Sequence, residues 1–201
     1  MKTISSSKLF WALLPFLFCL AAVQVPAQQS KSLKWTMALQ NVKTREMVPF
    51  SAPVQALTGE KYMIIIKPAE KAFCYIIYES PDGNDVAVLY AGSLKSGEIW
   101  RSEALVFTPP EGSESLFIIT SLDEQKDLAQ KIAAFKKNSG LIQKRALMNE
   151  IFRIRSDISQ FKETPEKPVL MGGASRGSAE EGEGVEFSGL GTYFKTISIE
   201  H

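Results

Sequence analysis

The fold is decided by two adjacent runs of sequence, Tyr62-Met-Ile-Ile-Ile-Lys67 and Ala72-Phe-Cys-Tyr-Ile-Ile-Tyr78. Thr58-Gly59 opens the first run and Pro68 closes it. The second run is apolar or aromatic at every position, which is typical of a central strand that is buried on both faces. We therefore expect a β-sheet protein in which this second strand is central.

Further strands are predicted on both sides of these runs. Ser80-Pro-Asp-Gly-Asn84 is a turn, because proline fixes one φ angle and glycine accepts a positive one. Val86–Tyr90 then returns as the partner strand of a hairpin. Alternation of apolar and polar residues, or short apolar runs, predicts four more strands, at residues 35–42, 99–107, 115–120 and 192–200. Residues 48–54 contain two prolines and suit an edge strand or an irregular extended segment.

The periodicity changes to a helical one after residue 120. Ser121-Leu-Asp-Glu124 matches a capping box, which predicts a helix start. Leu128, Ile132 and Phe135 follow at helical spacing, and Asn138-Ser-Gly140 ends the helix. A second helix is predicted over residues 141–161, with one apolar stripe. The short connection predicts an antiparallel helical hairpin, which either packs on the sheets or docks a partner helix.

The predicted fold class is mainly β. We expect one domain over residues 28–201, an antiparallel β-sandwich of immunoglobulin-like or jelly-roll-like type. The helical hairpin, about residues 122–161, is inserted before the last strand. Residues 171–191 are rich in Gly, Ser and Glu, and this composition predicts a flexible segment.

The first 27 residues have the order of a secretory signal peptide. Lys2 and Lys8 form a positive start, Leu9–Val23 is apolar, and Val25-Pro-Ala27 offers a cleavage site. The apolar stretch is shorter than the roughly 20 residues that a membrane span needs. We therefore expect an exported protein, periplasmic or secreted, with no membrane span after cleavage at Ala27.

Charge and cysteine content exclude several classes of function. The chain has 23 basic and 22 acidic residues, so no overall field attracts nucleic acid or an anionic membrane. After cleavage Cys74 is the remaining cysteine, which excludes an internal disulfide. Its apolar neighbours predict a small buried side chain rather than a reactive thiol.

Enzyme and metal chemistry are not expected, and the predictions are no catalytic residue, no metal and no cofactor. His201 is the single histidine and the last residue, and a chain terminus is a poor place to hold a catalytic imidazole or a zinc ligand. Asp82, Asn84 and Asp85 could offer oxygens to calcium, but their spacing does not match a calcium loop and favours a turn. Gly172–Gly177 lacks the Gly-Lys-Ser/Thr ending of a phosphate loop.

Two surfaces remain as candidates for binding. Aromatic residues on predicted strands could hold a sugar or a peptide, although such residues more often form core: Tyr75, Tyr78, Tyr90 and Trp100. Basic residues on the predicted helices could meet an anionic partner, a membrane surface or the acidic segment, or be a solvated helix face: Lys136, Lys137, Lys144, Arg145, Arg153 and Arg155. Base-stacking aromatics are not interleaved with these charges, so no nucleic acid is expected.

Residues 46–121 resemble the domain-of-unknown-function family 4384. The pieces that carry the resemblance are Leu57–Tyr62 with Ile64–Ile66, Phe73–Ile77, Val88–Tyr90, Pro110–Glu114 and Phe117–Ser121. The resemblance implies a binding or accessory module with no assigned activity and no catalytic residues to carry over. This chain departs from the family by its helical insert and glycine-rich segment, and we expect no attached catalytic domain.

Together these observations predict a non-enzymatic, exported binding or accessory module of the bacterial cell envelope that contacts a protein or a glycan. One alternative is a hydrolase that uses two carboxylates from Asp82, Asp85, Glu98 and Glu103. Another is a structural subunit that assembles by strand addition at the edge near Pro49–Pro53.

Cleavage of the leader is directly testable. When the full-length sequence is expressed in a bacterial host, we expect the exported product to begin at Gln28, because Ala27 ends the cleavage-like motif. Intact-mass measurement checks this. A product that keeps Met1 and sediments with membranes would contradict it.

Overall fold

The computed structural model describes residues 32–48, 53–108, 112–158, 167–170 and 183–201. The two described helices are α1 (Lys126–Lys137) and α2 (Leu141–Ile158). The described strands are β1 (Ser32–Asn41), β2 (Met47–Val48), β3 (Val54–Gln55), β4 (Lys61–Pro68), β5 (Ala72–Glu79), β6 (Val86–Leu94), β7 (Trp100–Arg101), β8 (Leu105–Val106), β9 (Ser113–Ser121), β10 (Lys167–Leu170), β11 (Glu183–Leu190) and β12 (Thr192–Glu200).

The strands form two sheets, which confirms the predicted mainly β sandwich. In sheet A the order is β10-β11-β1-β4-β7, with β2 paired to β1 and β8 paired to β4. In sheet B the order is β3-β12-β9-β5-β6. The described pairings are antiparallel except that of β3 with β12. Trp35 and Ile66 from sheet A and Ile76 and Ile118 from sheet B belong to one buried cluster, so the sheets pack face to face.

Both helices pack on the outer face of sheet B. Leu128 and Ile132 of α1 and Leu147 and Ile151 of α2 share a second buried cluster with strand residues such as Ile119. Of the two sequence interpretations of the helical hairpin, the structure therefore confirms packing on the sandwich. Sheet B is the middle of three layers, which explains why β5 is apolar on both faces.

The predicted capping box is wrong. Ser121 is the last residue of β9, and its hydroxyl lies 3.0 Å from the Thr192 hydroxyl. The helix begins later, at Lys126, and Gln125 precedes it without a side-chain cap. The backbone N–H of Gln125 instead donates to the Tyr75 hydroxyl at 3.1 Å, so a neighbouring strand holds the start of α1.

The prediction of a flexible segment over residues 171–191 is also wrong for its last part, while residues 171–182 lie outside the described residues. Residues 183–190 form β11, which pairs with β1. Phe187 is buried opposite Trp35, and their rings stack with centroids 4.6 Å apart. The stacking of Phe187 on Trp35 and the backbone pairing with β1 therefore stabilise a strand here, although the glycine and glutamate content favours a loop.

The last predicted strand is confirmed. β12 lies between β3 and β9, so it is an interior strand of sheet B. Gly191 is the single residue between β11 in sheet A and β12 in sheet B, and its φ of +74° turns the chain from one sheet to the other. Few residues other than glycine adopt this backbone conformation without strain.

The strand predicted over residues 99–107 is broken in the structure. β7 and β8 contain two residues each and are separated by a segment in which the Ser102 hydroxyl accepts the backbone N–H of Ile64 at 3.0 Å. Of the proline-containing stretch near β3, residues 49–52 lie outside the described residues.

Packing of the helical layer can be tested by truncating one of its buried side chains. Ile151→Ala should lower the free energy of unfolding by about 2 to 5 kcal/mol, because the Ile151 side chain is fully enclosed between α2 and sheet B. Ile142→Ala removes the same atoms from a residue of the same helix that is 78% exposed, and should change stability by less than about 0.5 kcal/mol. Urea titration measures both. Equal losses would show that α2 does not pack as described.

Candidate functional site

The six basic residues predicted as a face are divided by the structure. Arg153 is paired within its helix, with Glu150 at 2.6 Å and Asp157 at 2.7 Å. These carboxylates, Glu150 first, raise the pKa of the Arg153 guanidinium. Arg155, near the end of α2, is exposed. The Arg153 guanidinium therefore stabilises α2 through these ion pairs. An anionic ligand would have to compete with Glu150 and Asp157 for the guanidinium.

Lys144 has a structural contact. Its ammonium group donates to the backbone oxygens of Gly83 at 3.1 Å and Asn84 at 2.9 Å, in the turn between β5 and β6. This contact ties the start of α2 to sheet B. The sequence pattern could not show it, because the two partners lie about sixty positions apart.

The remaining basic residues lie at the connection between the helices, which we call the hairpin tip (residues 136–145). Lys136 and Lys137 are exposed in the last turn of α1, and Arg145 is exposed on α2. Leu141 and Ile142, in the first turn of α2, are 55% and 78% exposed. The sequence from residue 136 to residue 149 contains no acidic residue. The tip therefore presents positive charge and apolar side chains together, on a base that Lys144 anchors.

The four predicted aromatic residues do not form one surface. Tyr75 is buried under the helices, on the outer face of sheet B. Tyr78, Tyr90 and Trp100 pack at the edge of the cluster between the sheets, on the opposite face. A single ligand cannot contact both groups, because the sheet lies between them.

Within the second group, Tyr90 and Trp100 meet directly. Their ring centroids are 4.7 Å apart, and both side chains are half-buried. The Tyr90 hydroxyl donates to the backbone oxygen of Ser93 at 3.3 Å. The pair therefore joins the middle of β6 to β7 in the other sheet, which is a packing role.

The turn carboxylates have local partners. Asp82 accepts hydrogen bonds from the Ser80 hydroxyl and from the backbone and side-chain nitrogens of Asn84, at 2.6 to 3.0 Å. These bonds, the one from Ser80 first, lower the pKa of Asp82 to about 2. The arrangement is an Asx-type turn, which holds the β5–β6 connection in shape.

The four carboxylates of the hydrolase alternative are all exposed: Asp82, Asp85, Glu98 and Glu103. Asp82 and Asp85 share the β5–β6 turn, whereas Glu98 accepts the backbone N–H of Lys95 in a different turn at 2.8 Å. Among the described residues no group of three His, Cys, Asp or Glu side chains is placed to hold a metal ion.

A buried polar pair that the sequence did not suggest lies at the start of β9. The Glu114 carboxylate is 3.1 Å from the Nε2 atom of His201, whose side chain is fully buried. The histidine ring also packs against Phe107, with centroids 5.6 Å apart. The expectation that a terminal imidazole would not be held is therefore wrong, because Glu114 of β9 and Phe107 hold it.

Burial governs the chemistry of this pair. Desolvation raises the pKa of Glu114, although Tyr78 and His201 both oppose that rise. Burial, followed by the Glu114 charge, raises the pKa of Tyr78 to about 12. The His201 side chain is fully buried, so the imidazole is closed to an outside molecule. The pair accordingly acts on stability and its dependence on pH.

Cys74 behaves as the sequence predicted. It is fully buried between the sheets, and burial raises the pKa of its thiol to about 12. A thiol in this state is a packing residue rather than a nucleophile.

Sequence reasoning missed two features of the tip and the core. The exposure of Leu141 and Ile142 could have been found, because they precede the first residue of the α2 stripe, Leu147, at positions that do not share its face. The burial of His201 could not, because it depends on Glu114 and Phe107 from distant parts of the chain.

No family model, curated protein or solved structure matches the chain. None of the helices in the described ranges is long and apolar enough to span a bilayer.

The raised pKa of Glu114 predicts how pH affects stability. The folded state keeps this proton to a higher pH than the unfolded chain, whose value is about 4.5. The stabilising contribution is therefore complete below pH 4.5 and is lost as the pH rises through the folded value. Relative to the wild type, Glu114→Gln should gain unfolding free energy as the pH is raised, because glutamine has no proton to lose.

Chemical denaturation at a series of pH values measures this difference. The exposed Glu103→Gln is the control and should follow the wild type at every pH. A constant difference between Glu114→Gln and the wild type would contradict the burial effect.

Proposed function

We propose that the protein is a non-enzymatic binding or accessory module of the bacterial cell envelope, and that it contacts its partner through the hairpin tip. The observation that carries the proposal is the joint exposure of basic and apolar side chains there, with Ile142 78% exposed. Exposed apolar side chains are unfavourable in water, and an apolar patch rimmed by polar or charged residues is typical of an interaction surface.

The chemistry of the tip selects an anionic partner. Lys136, Lys137 and Arg145 can pair with carboxylates or phosphates, while Leu141 and Ile142 bury apolar area against the same partner. A protein with an acidic, partly apolar surface can both pair with the basic residues and cover the apolar ones. An acidic glycan can pair with the basic residues only. The tip is also held in place, because Lys144 fixes the start of α2 to the β5–β6 turn. Binding therefore orders little of the backbone, which reduces its entropic cost.

The location in the envelope rests on the signal-like leader, residues 1–27. The resemblance of residues 46–121 to the domain-of-unknown-function family 4384 points to the same kind of role, since that family is used as a binding or accessory module. An exported module of this kind needs no reactive centre of its own.

A pull-down from an envelope extract of the native host tests the proposal. The exported protein should retain an anionic component, and the variant Lys136→Glu/Lys137→Glu/Arg145→Glu should lose it by at least about tenfold, because three attractions become repulsions. Treatment of the extract with protease distinguishes the sources: loss of the signal identifies a protein, and its persistence identifies a glycan.

The matched control is Lys34→Glu/Lys43→Glu/Lys61→Glu. It changes the net charge by the same amount at exposed positions of sheet A and the adjoining turn, away from the helices. Retention should be unchanged. Equal loss in the two triple variants would indicate a general charge effect, and the hairpin tip would not be the contact.

A further inference from the structure

Strand β6 forms one edge of sheet B, and its outer backbone groups face away from the sheet. β6 is nine residues long, Val-Ala-Val-Leu-Tyr-Ala-Gly-Ser-Leu, and has neither a charged residue nor a proline. In an edge strand, the backbone groups that point away from the sheet have no strand partner. A long, uncharged edge of this kind is a template on which another strand can pair.

The outer side of β6 has no backbone partner within the described ranges. β5 is its strand neighbour, and no other backbone–backbone hydrogen bond reaches residues 86–94. The backbone oxygen of Ser93 accepts a bond from the Tyr90 hydroxyl, which is a contact within β6 itself. Helix α1 packs on the face of sheet B and leaves the backbone edge of β6 without a strand.

The other described edges carry the features that prevent strand addition. β10 has four residues and includes Lys167 and Pro168. β2, β3, β7 and β8 have two residues each. β3 pairs with β12 only at Ile199 and Glu200, and the rest of β12 contains Lys195. Short strands, lysine and proline are the usual ways in which proteins protect an edge. β6 lacks these three features, and the protective feature that it does carry is a single bulge, described below.

We propose that β6 pairs antiparallel with β6 of a second copy of this chain, across a two-fold axis at Tyr90. The residues that flank the strand support this register. Asp85 precedes β6 and Lys95 follows it, both exposed and both five positions from Tyr90. Antiparallel pairing about Tyr90 therefore places Asp85 of each copy opposite Lys95 of the other, so the dimer gains two opposite-charge pairs.

The same register explains why the partner is a second copy. The paired residues between the two charges are Val86 with Leu94, Ala87 with Ser93, Val88 with Gly92 and Leu89 with Ala91. No like charges oppose each other, and the charges at the ends complement each other without a foreign sequence. The interface is isologous, and both copies contribute the same surface.

A bulge limits the strength of the dimer. The pairing of β6 with β5 shifts between Ile76 and Ile77, which leaves Leu89 as the extra residue of β6. Bulges increase the twist of an edge and weaken pairing. The dimer is consequently expected to be concentration-dependent rather than permanent.

Sedimentation equilibrium of the exported protein tests the proposal. The wild type should show a monomer–dimer equilibrium. Asp85→Lys and Lys95→Asp alone should each weaken it by about tenfold, because each creates two like-charge pairs. The exchanged variant Asp85→Lys/Lys95→Asp should restore the wild-type constant to within about twofold, since the pairs are re-formed in reverse.

Hydrogen exchange locates the contact independently. Amides of residues 86–94 should exchange more slowly at high protein concentration, and those of β7 should not change. A wild-type protein that stays monomeric over the accessible concentration range overturns the proposal. A dimer that the single variants leave intact, with no change of exchange in β6, overturns it as well.

Discussion

Burial of sheet B on both faces is the constraint on which the rest of the structure depends. β5 and β9 place apolar side chains on each face: Ile76 and Ile118 contact sheet A, while Ile77 and Ile119 contact the helices. Such a sheet cannot leave either face in water without exposing a large apolar area. The sandwich covers one face, and the helical hairpin between β9 and β12 covers the other.

This constraint also determines which surfaces remain for binding. The inner faces of α1 and α2 are buried against sheet B. Lys144 and Arg153 make hydrogen bonds or ion pairs within the protein. Among the described residues, two of the surfaces that stay open are the hairpin tip and the outer backbone edge of β6, because the helices cover the face of β6 but not that edge. The two surfaces differ in chemistry. The tip is basic and apolar, whereas the edge offers backbone hydrogen bonds and no charge of its own.

The central strands could be predicted from sequence because their pattern is local. Apolar residues at every position of 72–78 require burial on both faces, and the turn at Ser80–Asn84 requires a hairpin. The helices were predictable for the same reason, from spacing along one segment. β11 was missed because its pairing is non-local: the contact of Phe187 with Trp35 joins opposite ends of the chain, and the local composition indicates a loop.

The candidate site was predictable only in part. Strand geometry alone places Tyr75 and Tyr78 on opposite faces, because they are three positions apart and successive side chains alternate between faces. The charges of the hairpin were visible in the sequence, but the structure was needed to remove Lys144 and Arg153 from the surface that can bind. The pairing of Glu114 with His201 could not be predicted either, because a buried contact between residues far apart in the chain leaves no periodic pattern in the sequence.

Site-specific photo-crosslinking in the native host can show whether the hairpin tip is the contact surface. A photoreactive residue would replace Ile142 at the tip, and in a matched strain Leu57, which is 64% exposed and lies between β3 and β4. If the hairpin tip binds the partner, a discrete cross-linked species forms from position 142 and none forms from position 57. The same species from both positions, or none from position 142 while other exposed sites cross-link, would contradict it.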